Sequence, residues 1–232
     1  MDKQTDEILS LLQKCSQHQR EFIFKHLRKE IKIHDIEIKL NVAAEIILEA
    51  INKDAAGLTF RMMRGVIAEA AFEIEVLKNL KDWENITPFG DLPFDFLVRD
   101  NVGTISIQVK LQRSVNQKPM MANQAVKKFS KNLFVVETQK TRGGIDHETG
   151  EDTRPYRFGE FNILAVAMHP SSGHWSDFMY TVSDWLIPSG EGSNRILKFQ
   201  PVSPTSNVDW TNSFETAIEW YRNQIKKTIA AL

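Results

Sequence analysis

The chain has 232 residues, of which 42% are hydrophobic and 25% are charged, a mixture typical of a globular protein with a sizeable core. Its single cysteine, Cys15, excludes an internal disulfide framework, and a formal net charge of -1 neither favours nor opposes a nucleic-acid partner. The sequence has neither a secretory signal pattern nor an apolar run of about 18 residues, so we expect a cytoplasmic protein with no membrane partner.

The N-terminal third is predicted to be helical, because apolar residues recur at helical spacing from Thr5 to about Leu80. A further helix is expected to begin near Thr59, after a break at Gly57. Its predicted apolar face consists of Met63, Ile67, Ala70, Ala71, Ile74 and Leu77. The earlier helices have more apolar positions than a small core requires, so they either form a dimer surface or cover a sheet.

Beyond Trp83 the pattern changes to short apolar segments separated by turn residues. These segments predict strands within PFDFLV, TISIQVKL, KNLFVVETQ, FNILAVAM, DFMYTV and ILKFQPV. A last helix is predicted over residues 212–231, with Thr211 or Asn212 as its N-cap. The order predicts one α/β (α+β) domain over residues 1–232. It would comprise a helical region at 1–56, a core at 57–138, and a segment at 139–232 that completes the sheet.

Polar residues interrupt two adjacent predicted strands in PFDFLVRDNVGTISIQVKLQR, residues 93–113. Asp95 begins the first strand, and Gln108 and Lys110 lie in the second. Strand side chains alternate between faces, so Gln108 and Lys110 share one face, and a turn at residues 100–103 would bring Asp95 beside them. Burying a lysine beside a carboxylate is costly unless the pair has a chemical purpose. Phosphodiester hydrolysis provides one, since it needs oxygen ligands for Mg²⁺ and a group that positions the attacking water.

The motif PFD, followed by a spacer and QVK, resembles the PD-(D/E)xK nuclease superfamily, which includes most type II restriction endonucleases. The match spans residues 64–113, and Gln108 replaces the usual acid, as in the QxK variant of the superfamily. The resemblance implies a restriction-endonuclease-like core, with a central mixed β-sheet flanked by helices. It also implies a Mg²⁺-dependent endodeoxyribonuclease, similar to a type II restriction endonuclease, that leaves 5'-phosphate ends.

The resemblance further implies a catalytic role for four residues. Asp95, Gln108 and the helix residue Glu69 would bind the metal, and Lys110 would orient or deprotonate the attacking water. Glu73, one helical turn further along the same face, is the alternative to Glu69. Two other functions remain open: a structure-selective or repair nuclease, and a DNA-binding module that has the fold without the activity. The DNA-binding module is kept as an alternative because Gln108 lacks the negative charge of the usual acid.

Two segments after the motif are candidates for contact with double-stranded DNA. The first has few acids and is either a basic surface or a solvated linker; its candidate residues are Arg113, Lys118, Lys127 and Lys128. The second is the long polar loop at residues 140–159, which is either functional or mobile. Its arginines are suited to reading guanine edges, and its glycines permit close backbone approach: Arg142, Arg154, Arg157, Gly143 and Gly144. Cutting both strands symmetrically would suit a homodimer.

Three other polar residues are predicted to have no catalytic role. His169 and His174 lack a cysteine pair or a tight histidine cluster beside them, so we expect strand-end or loop positions and no metal site. Glu160 is expected to brace the sheet together with Arg157.

Overall fold

The computed structural model describes residues 2–30, 35–54, 58–140, 143–145 and 152–231. The chain divides into two compact units, Met1–Arg61 and Met62–Leu232. In the described part of the first unit the helices are α1 (Lys3–Lys14), α2 (Gln17–Glu30), α3 (Asp35–Leu40) and α4 (Ala44–Asp54). The predicted helical N-terminal region is confirmed, whereas the predicted break at Gly57 lies outside the described residues. No described helix is both long enough and apolar enough to cross a membrane.

The first unit leaves much apolar surface exposed. Its charged residue Glu37 is buried, and the Glu37 carboxylate accepts hydrogen bonds from the Arg28 guanidinium at 2.9 Å and from the Ala44 N–H at 2.8 Å. Large apolar side chains on its helices are exposed, among them Ile8, Leu11, Phe22, Phe24, Ile38, Ile46 and Leu48.

The second unit is built around a mixed sheet. Its elements after residue 80 are β1 (Glu84–Asn85), β2 (Phe96–Arg99), β3 (Thr104–Leu111), β4 (Ser114–Val115), β5 (Lys118–Pro119), α6 (Ala122–Ala125), β6 (Phe134–Glu137), β7 (Ile163–Ala167), α7 (His169–Ser172), β8 (Phe178–Val182), β9 (Phe199–Val202) and α8 (Phe214–Arg222).

The central sheet has five strands in the order β1-β2-β3-β7-β8. Strands β3 and β7 are parallel, and the other neighbours in this sheet are antiparallel. Strand β6 pairs with β9, and β4 pairs with β5, both in antiparallel fashion. All the predicted strand segments contain a strand, and the predicted α/β architecture with a central mixed sheet flanked by helices is confirmed.

Helix α5 (Leu58–Ala71) continues into a π-helical turn at Phe72–Val76 and a 3₁₀ turn at Leu77–Asn79. The buried residues here are Ala68, Phe72 and Leu77, whereas Ile67 and Ile74 are 38% and 53% exposed. The predicted apolar face is therefore wrong at Ile67 and Ile74, whereas Leu77 is buried and Ala71 packs against the core. A π-helical turn adds a residue to the helical repeat, so the buried positions are spaced by four residues and then by five.

The side chain of Phe72 packs α5 against the sheet. Its ring centroid lies 5.5 Å from that of Phe96, 5.4 Å from Phe178 and 5.7 Å from Phe214. The cluster joins α5, β2, β8 and α8 in one apolar core. Because Glu69 lies one helical turn before Phe72, this packing also determines where Glu69 is placed.

The C-terminal helix is shorter than predicted, because α8 ends at Arg222 and the prediction extended to residue 231. Its N-cap is Ser213, whose hydroxyl accepts a hydrogen bond from the Thr216 N–H at 3.1 Å. After the helix the backbone bonds to Trp185: the indole N–H donates to the Ile225 carbonyl at 2.6 Å, and the Ile229 N–H donates to the Trp185 carbonyl at 2.8 Å. These contacts replace the hydrogen bonds that a longer helix would form.

Candidate active site

The β2–β3 hairpin brings Asp95 and Gln108 into contact. Asp95 immediately precedes β2, and its N–H donates to the Ile107 carbonyl at 3.0 Å, which fixes it opposite Gln108. The Asp95 carboxylate accepts hydrogen bonds from the Gln108 side-chain nitrogen and, at 2.7 Å, from the Val109 N–H. The turn that joins the strands is closed by the Asp100 N–H donating to the Gly103 carbonyl at 3.1 Å.

Gln108 and Lys110 lie in the centre of the sheet. They pair with Leu164 and Val166 of the parallel strand β7, and Gln108 is only 2% exposed. Val109, between them, is buried in the main apolar core, as the alternation of a strand requires. A neutral amide next to Asp95 therefore occupies a fully desolvated position where a second carboxylate would be costly.

Glu69 is electrostatically coupled to this pair. Burial, and then the negative charge of Asp95, raise the pKa of Glu69 to about 7, while the charge of Lys110 acts in the opposite direction. Glu69 is thus the helix carboxylate that faces Asp95 and Lys110. The alternative, Glu73, lies further along in the π-helical turn.

The pKa values of Asp95 and Lys110 also reflect burial. Burial raises the pKa of Asp95, against the opposing effects of Lys110, of the Val109 N–H and of Gln108. Burial lowers the pKa of Lys110, against the charges of Asp95, Glu69 and Glu137. The four residues identified from sequence thus form one group, in which Asp95 bonds to Gln108 and the charges of Asp95 and Glu69 both act on Lys110.

Tyr156 is part of this group and was not identified from the sequence. The Lys110 Nζ lies 5.2 Å from the centroid of its ring, and the Lys140 Nζ lies 5.4 Å from the same centroid. Lys140 in turn forms an ion pair with Glu160 at 2.7 Å. The only signal for Tyr156 in the sequence is an aromatic residue in a polar loop, and its distance along the chain from Lys110 hides the contact.

Glu137 is a second residue that sequence reasoning missed. It closes β6, forms ion pairs with Arg113 at 2.9 Å and with Lys198 at 3.4 Å, and its charge acts on Lys110. Arg113, predicted to contact DNA, therefore has a carboxylate partner within the protein. Glu137 resembles an ordinary strand end in the sequence.

The other predicted DNA-binding residues lie at the surface. Lys118, Lys127, Lys128, Arg154 and Arg157 are exposed, and Arg142 lies outside the described residues.

The group that lies close to the backbone at Gly143 is a side chain of the protein itself, that of Arg154. A Cβ atom at this position would lie 1.8 Å from Cγ of Arg154. The Glu160 carboxylate accepts hydrogen bonds from Lys140 at 2.7 Å and from the Arg157 backbone N–H at 2.9 Å, and both partners lie outside the strands, so the role in bracing the sheet stays a prediction.

The two histidines lie near the end of a strand and in a loop, the kinds of position predicted for them. His169 begins the short helix α7 directly after β7, and His174 follows in a loop. Within the described residues, no group of three or more His, Cys, Asp or Glu residues could hold a metal ion.

The donor set nevertheless fits a hard cation such as Mg²⁺. Asp95 and Glu69 offer carboxylate oxygens, and Gln108, whose nitrogen bonds to Asp95, still has its amide oxygen to offer. Mg²⁺ accepts one or two carboxylates and completes its coordination with water and substrate phosphates. The negative charge of Asp95 raises the pKa of Glu69, and a bound cation would relieve this repulsion.

Comparison with known proteins leaves the family of this chain open. No protein-family model matches it, and no curated protein matches it significantly. Among solved structures it is similar to the bacterial homing endonuclease I-Ssp6803I, with a TM-score of 0.42 and 17% sequence identity, over 70% of this chain and 96% of that chain. A TM-score of this size, at this identity, establishes neither family nor activity.

Proposed function

We propose that this protein is a Mg²⁺-dependent endodeoxyribonuclease that hydrolyses phosphodiester bonds of double-stranded DNA. The observation that carries the proposal is the contact between Asp95 and Gln108 at the β2–β3 hairpin, with Lys110 on the same strand face. Oxygen donors beside a desolvated ammonium group match the requirements of phosphodiester hydrolysis more closely than those of a structural ion pair.

Each residue has a distinct role in this proposal. Asp95, Glu69 and the Gln108 amide oxygen would hold Mg²⁺, which when bound stabilises negative charge on the phosphate and lowers the pKa of a coordinated water. Lys110 positions the attacking water or accepts its proton. Burial lowers the pKa of Lys110 and so moves it towards the range in which a general base is effective. The ring of Tyr156 holds the Lys110 ammonium group in place.

Within this class we propose a type II restriction endonuclease that acts as a homodimer. Symmetric cleavage of both strands needs two active sites, which a two-fold dimer provides. The exposed apolar side chains of helices α1 to α4 are suited to such an interface. A structure-selective repair nuclease would use the same four residues without sequence-specific recognition.

A second candidate function is a DNA-binding module without activity. The observation that favours it is the buried Gln108, which leaves the site with two carboxylates instead of three. A weaker cation site would follow, because a neutral amide contributes less to Mg²⁺ binding than a carboxylate does.

Cleavage of a plasmid and of a bacteriophage genome, in Mg²⁺ and separately in EDTA, tests the proposal. Discrete bands that appear only with Mg²⁺ support a site-specific endonuclease, whereas a smear or nicking supports a structure-selective repair nuclease. Intact DNA despite measurable binding supports the inactive module and contradicts the nuclease.

The same assay separates catalysis from binding. Lys110→Met should lower the cleavage rate by about 10²- to 10⁴-fold, the range typical of a lost general base, while DNA binding persists. Asp95→Asn should also abolish cleavage. Lys81→Met, at an exposed turn, is the matched control and should cut like the wild type. Wild-type cleavage by Lys110→Met would contradict the assigned role of Lys110.

A further inference from the structure

The polar character of strand β3 continues beyond Lys110. Alternate residues from Gln108 to Ser114 are polar: Gln108, Lys110, Gln112 and Ser114. The Gln112 N–H donates to the Ala167 carbonyl at 3.0 Å, so the pairing with β7 extends past the end of β3. Strand alternation therefore places the Gln112 side chain on the face of Gln108 and Lys110.

Gln112 is buried without a polar partner. It is 1% exposed, and neither its amide nitrogen nor its amide oxygen forms a hydrogen bond in the described structure. Buried polar groups almost always have hydrogen-bond partners, so each exception calls for an explanation. A buried amide without partners destabilises the fold, so stability alone does not account for Gln112 in this row of polar residues.

Arg64 lies at the far end of this row. Its Nη1 donates to Ser114 Oγ at 3.1 Å, which joins helix α5 to strand β4. Arg99, Arg113 and Arg222 each form an ion pair with a carboxylate. Within the described residues Arg64 forms no such ion pair, so no described carboxylate neutralises its charge.

His169 adds a second group beside Arg64. Helix α7, which begins at His169, packs against strand β5, and β5 pairs with β4 at Ser114, the partner of Arg64. Burial, then the charge of Arg64, and then His174 lower the pKa of His169. The imidazole stacks on Trp175 with ring centroids 4.0 Å apart, and its buried Nδ1 has no hydrogen-bond partner among the described residues.

We propose that Arg64, Ser114 and His169 form a subsite for a DNA backbone phosphate adjacent to the phosphate that is cut at Lys110. A guanidinium without a carboxylate partner, a hydroxyl and an imidazole are the groups that bind phosphate oxygens. The subsite would hold the strand in register with Asp95 and Lys110. This inference rests on the proposed nuclease function, because it assigns the next phosphate of the same substrate.

The salt dependence of DNA binding tests the subsite without cleavage. Binding of a short fluorescent duplex of mixed sequence is measured by anisotropy in EDTA, over NaCl concentrations between about 50 and 200 mM. Arg64→Met should weaken binding and should reduce the slope of log K against log[salt] by about one, since one phosphate contact is lost. Arg64→Lys keeps the charge and should keep most of the slope.

Two further variants exclude simpler explanations. Arg99→Met removes the same charge from an exposed arginine on strand β2 and should keep the wild-type slope. Ser114→Ala removes a neutral ligand of the proposed phosphate without removing charge, so it should weaken binding at every salt concentration and keep the wild-type slope. Binding by Ser114→Ala equal to that of the wild type would refute the subsite.

The outcomes separate the subsite from the nuclease itself. Equal slopes for Arg64→Met and Arg99→Met, in a protein that cuts DNA, overturn the subsite and leave the nuclease standing. A wild-type protein that neither binds nor cuts duplex DNA overturns both. Thermal unfolding of each variant in the same buffer shows whether a reduced slope of log K against log[salt] results from an unfolded variant.

Discussion

The carboxylate of Glu69 lies in a partly desolvated place with a second negative charge, that of Asp95, nearby. Together these raise its pKa from 4.5 to about 7. When folding raises the pKa of a group, the group contributes its full stability below the pKa that it has in the unfolded chain. This contribution is lost as the pH rises through the pKa that it has in the folded protein. Ionised Glu69 therefore destabilises the protein above about pH 7. Such a cost is typical of residues retained for chemistry.

Glu69→Gln is therefore expected to stabilise the metal-free protein at alkaline pH. In EDTA the variant should have a higher melting temperature than the wild type at pH 8, because the neutral amide removes the repulsion from Asp95. The difference should shrink as the pH falls from about 7 towards 4.5, where Glu69 becomes protonated. Thermal unfolding followed by circular dichroism at several pH values measures it. Glu73→Gln is the control, and a gain that does not change with pH would contradict the coupling.

At the scale of residues, the sequence predicted which side chains of the β2–β3 hairpin lie together, but not all of their contacts. Asp95, Gln108 and Lys110 were predictable because a short hairpin and strand alternation bring them together within a few residues of chain. Tyr156 and Glu137 were not, since their approach to Lys110 depends on how β6 and a distant loop fold back. Local periodicity has no information about such long-range contacts.

At the scale of elements, the turn between β2 and β3 depends on Asp100. A hydrogen bond from Arg222 is the main cause that lowers the pKa of Asp100 to about 2, and the N–H groups of Gly103 and Val102 add to it. Because folding lowers the pKa of Asp100, its carboxylate stabilises the folded protein above the unfolded pKa of 3.8. This stabilisation is lost as the pH falls through the folded pKa of about 2.

Asp100→Asn should consequently lower the urea midpoint at pH 7. The difference from the wild type should narrow as the pH falls below about 4, because the wild-type carboxylate is then progressively neutralised in the unfolded chain. Urea unfolding at pH 7, 4 and 3 measures this trend. Asp184→Asn, at an exposed site, is the control. A difference that stays constant over this range would show that charge is not the cause.

The packing of helix α5 depends on the π-helical turn at Phe72. Phe72 is fully buried among four aromatic rings, and Phe72→Ala would leave a cavity in the main core. A loss of about 3–5 kcal/mol in the free energy of unfolding is expected from large-to-small substitutions of this kind. Urea unfolding in EDTA measures it, and Phe72→Leu should cost much less. A loss below about 1 kcal/mol would mean that the site relaxes or that α5 is not held by this ring.

The same elements show where sequence patterns were sufficient and where they were not. The strands were predictable because alternating apolar residues and turn signals mark them directly. The buried face of α5 was not, because one π-helical turn shifts the helical repeat at Phe72. The end of α8 was also mispredicted. The residues after Arg222 keep helical spacing in the sequence, but their backbone bonds to Trp185 instead.

At the scale of the whole molecule, the buried apolar core lies in the second unit. Both clusters of buried apolar residues are formed by side chains between Ala68 and Ile229, with further apolar residues packed against them. The first unit, Met1–Arg61, exposes many of its apolar side chains instead. A domain that has its own hydrophobic core is able to fold independently.

A chain of residues 58–232, which keeps all of helix α5, is therefore expected to fold without the N-terminal helices. It should show the circular dichroism of a mixed α/β protein and a cooperative thermal transition, since the core residues are all retained. If helices α1 to α4 form the proposed dimer surface, light scattering after size exclusion should give a dimer for the full chain and a monomer for residues 58–232. The monomer should then nick plasmid DNA instead of cutting both strands together. Non-cooperative unfolding or aggregation of residues 58–232 would show that the core needs the N-terminal helices.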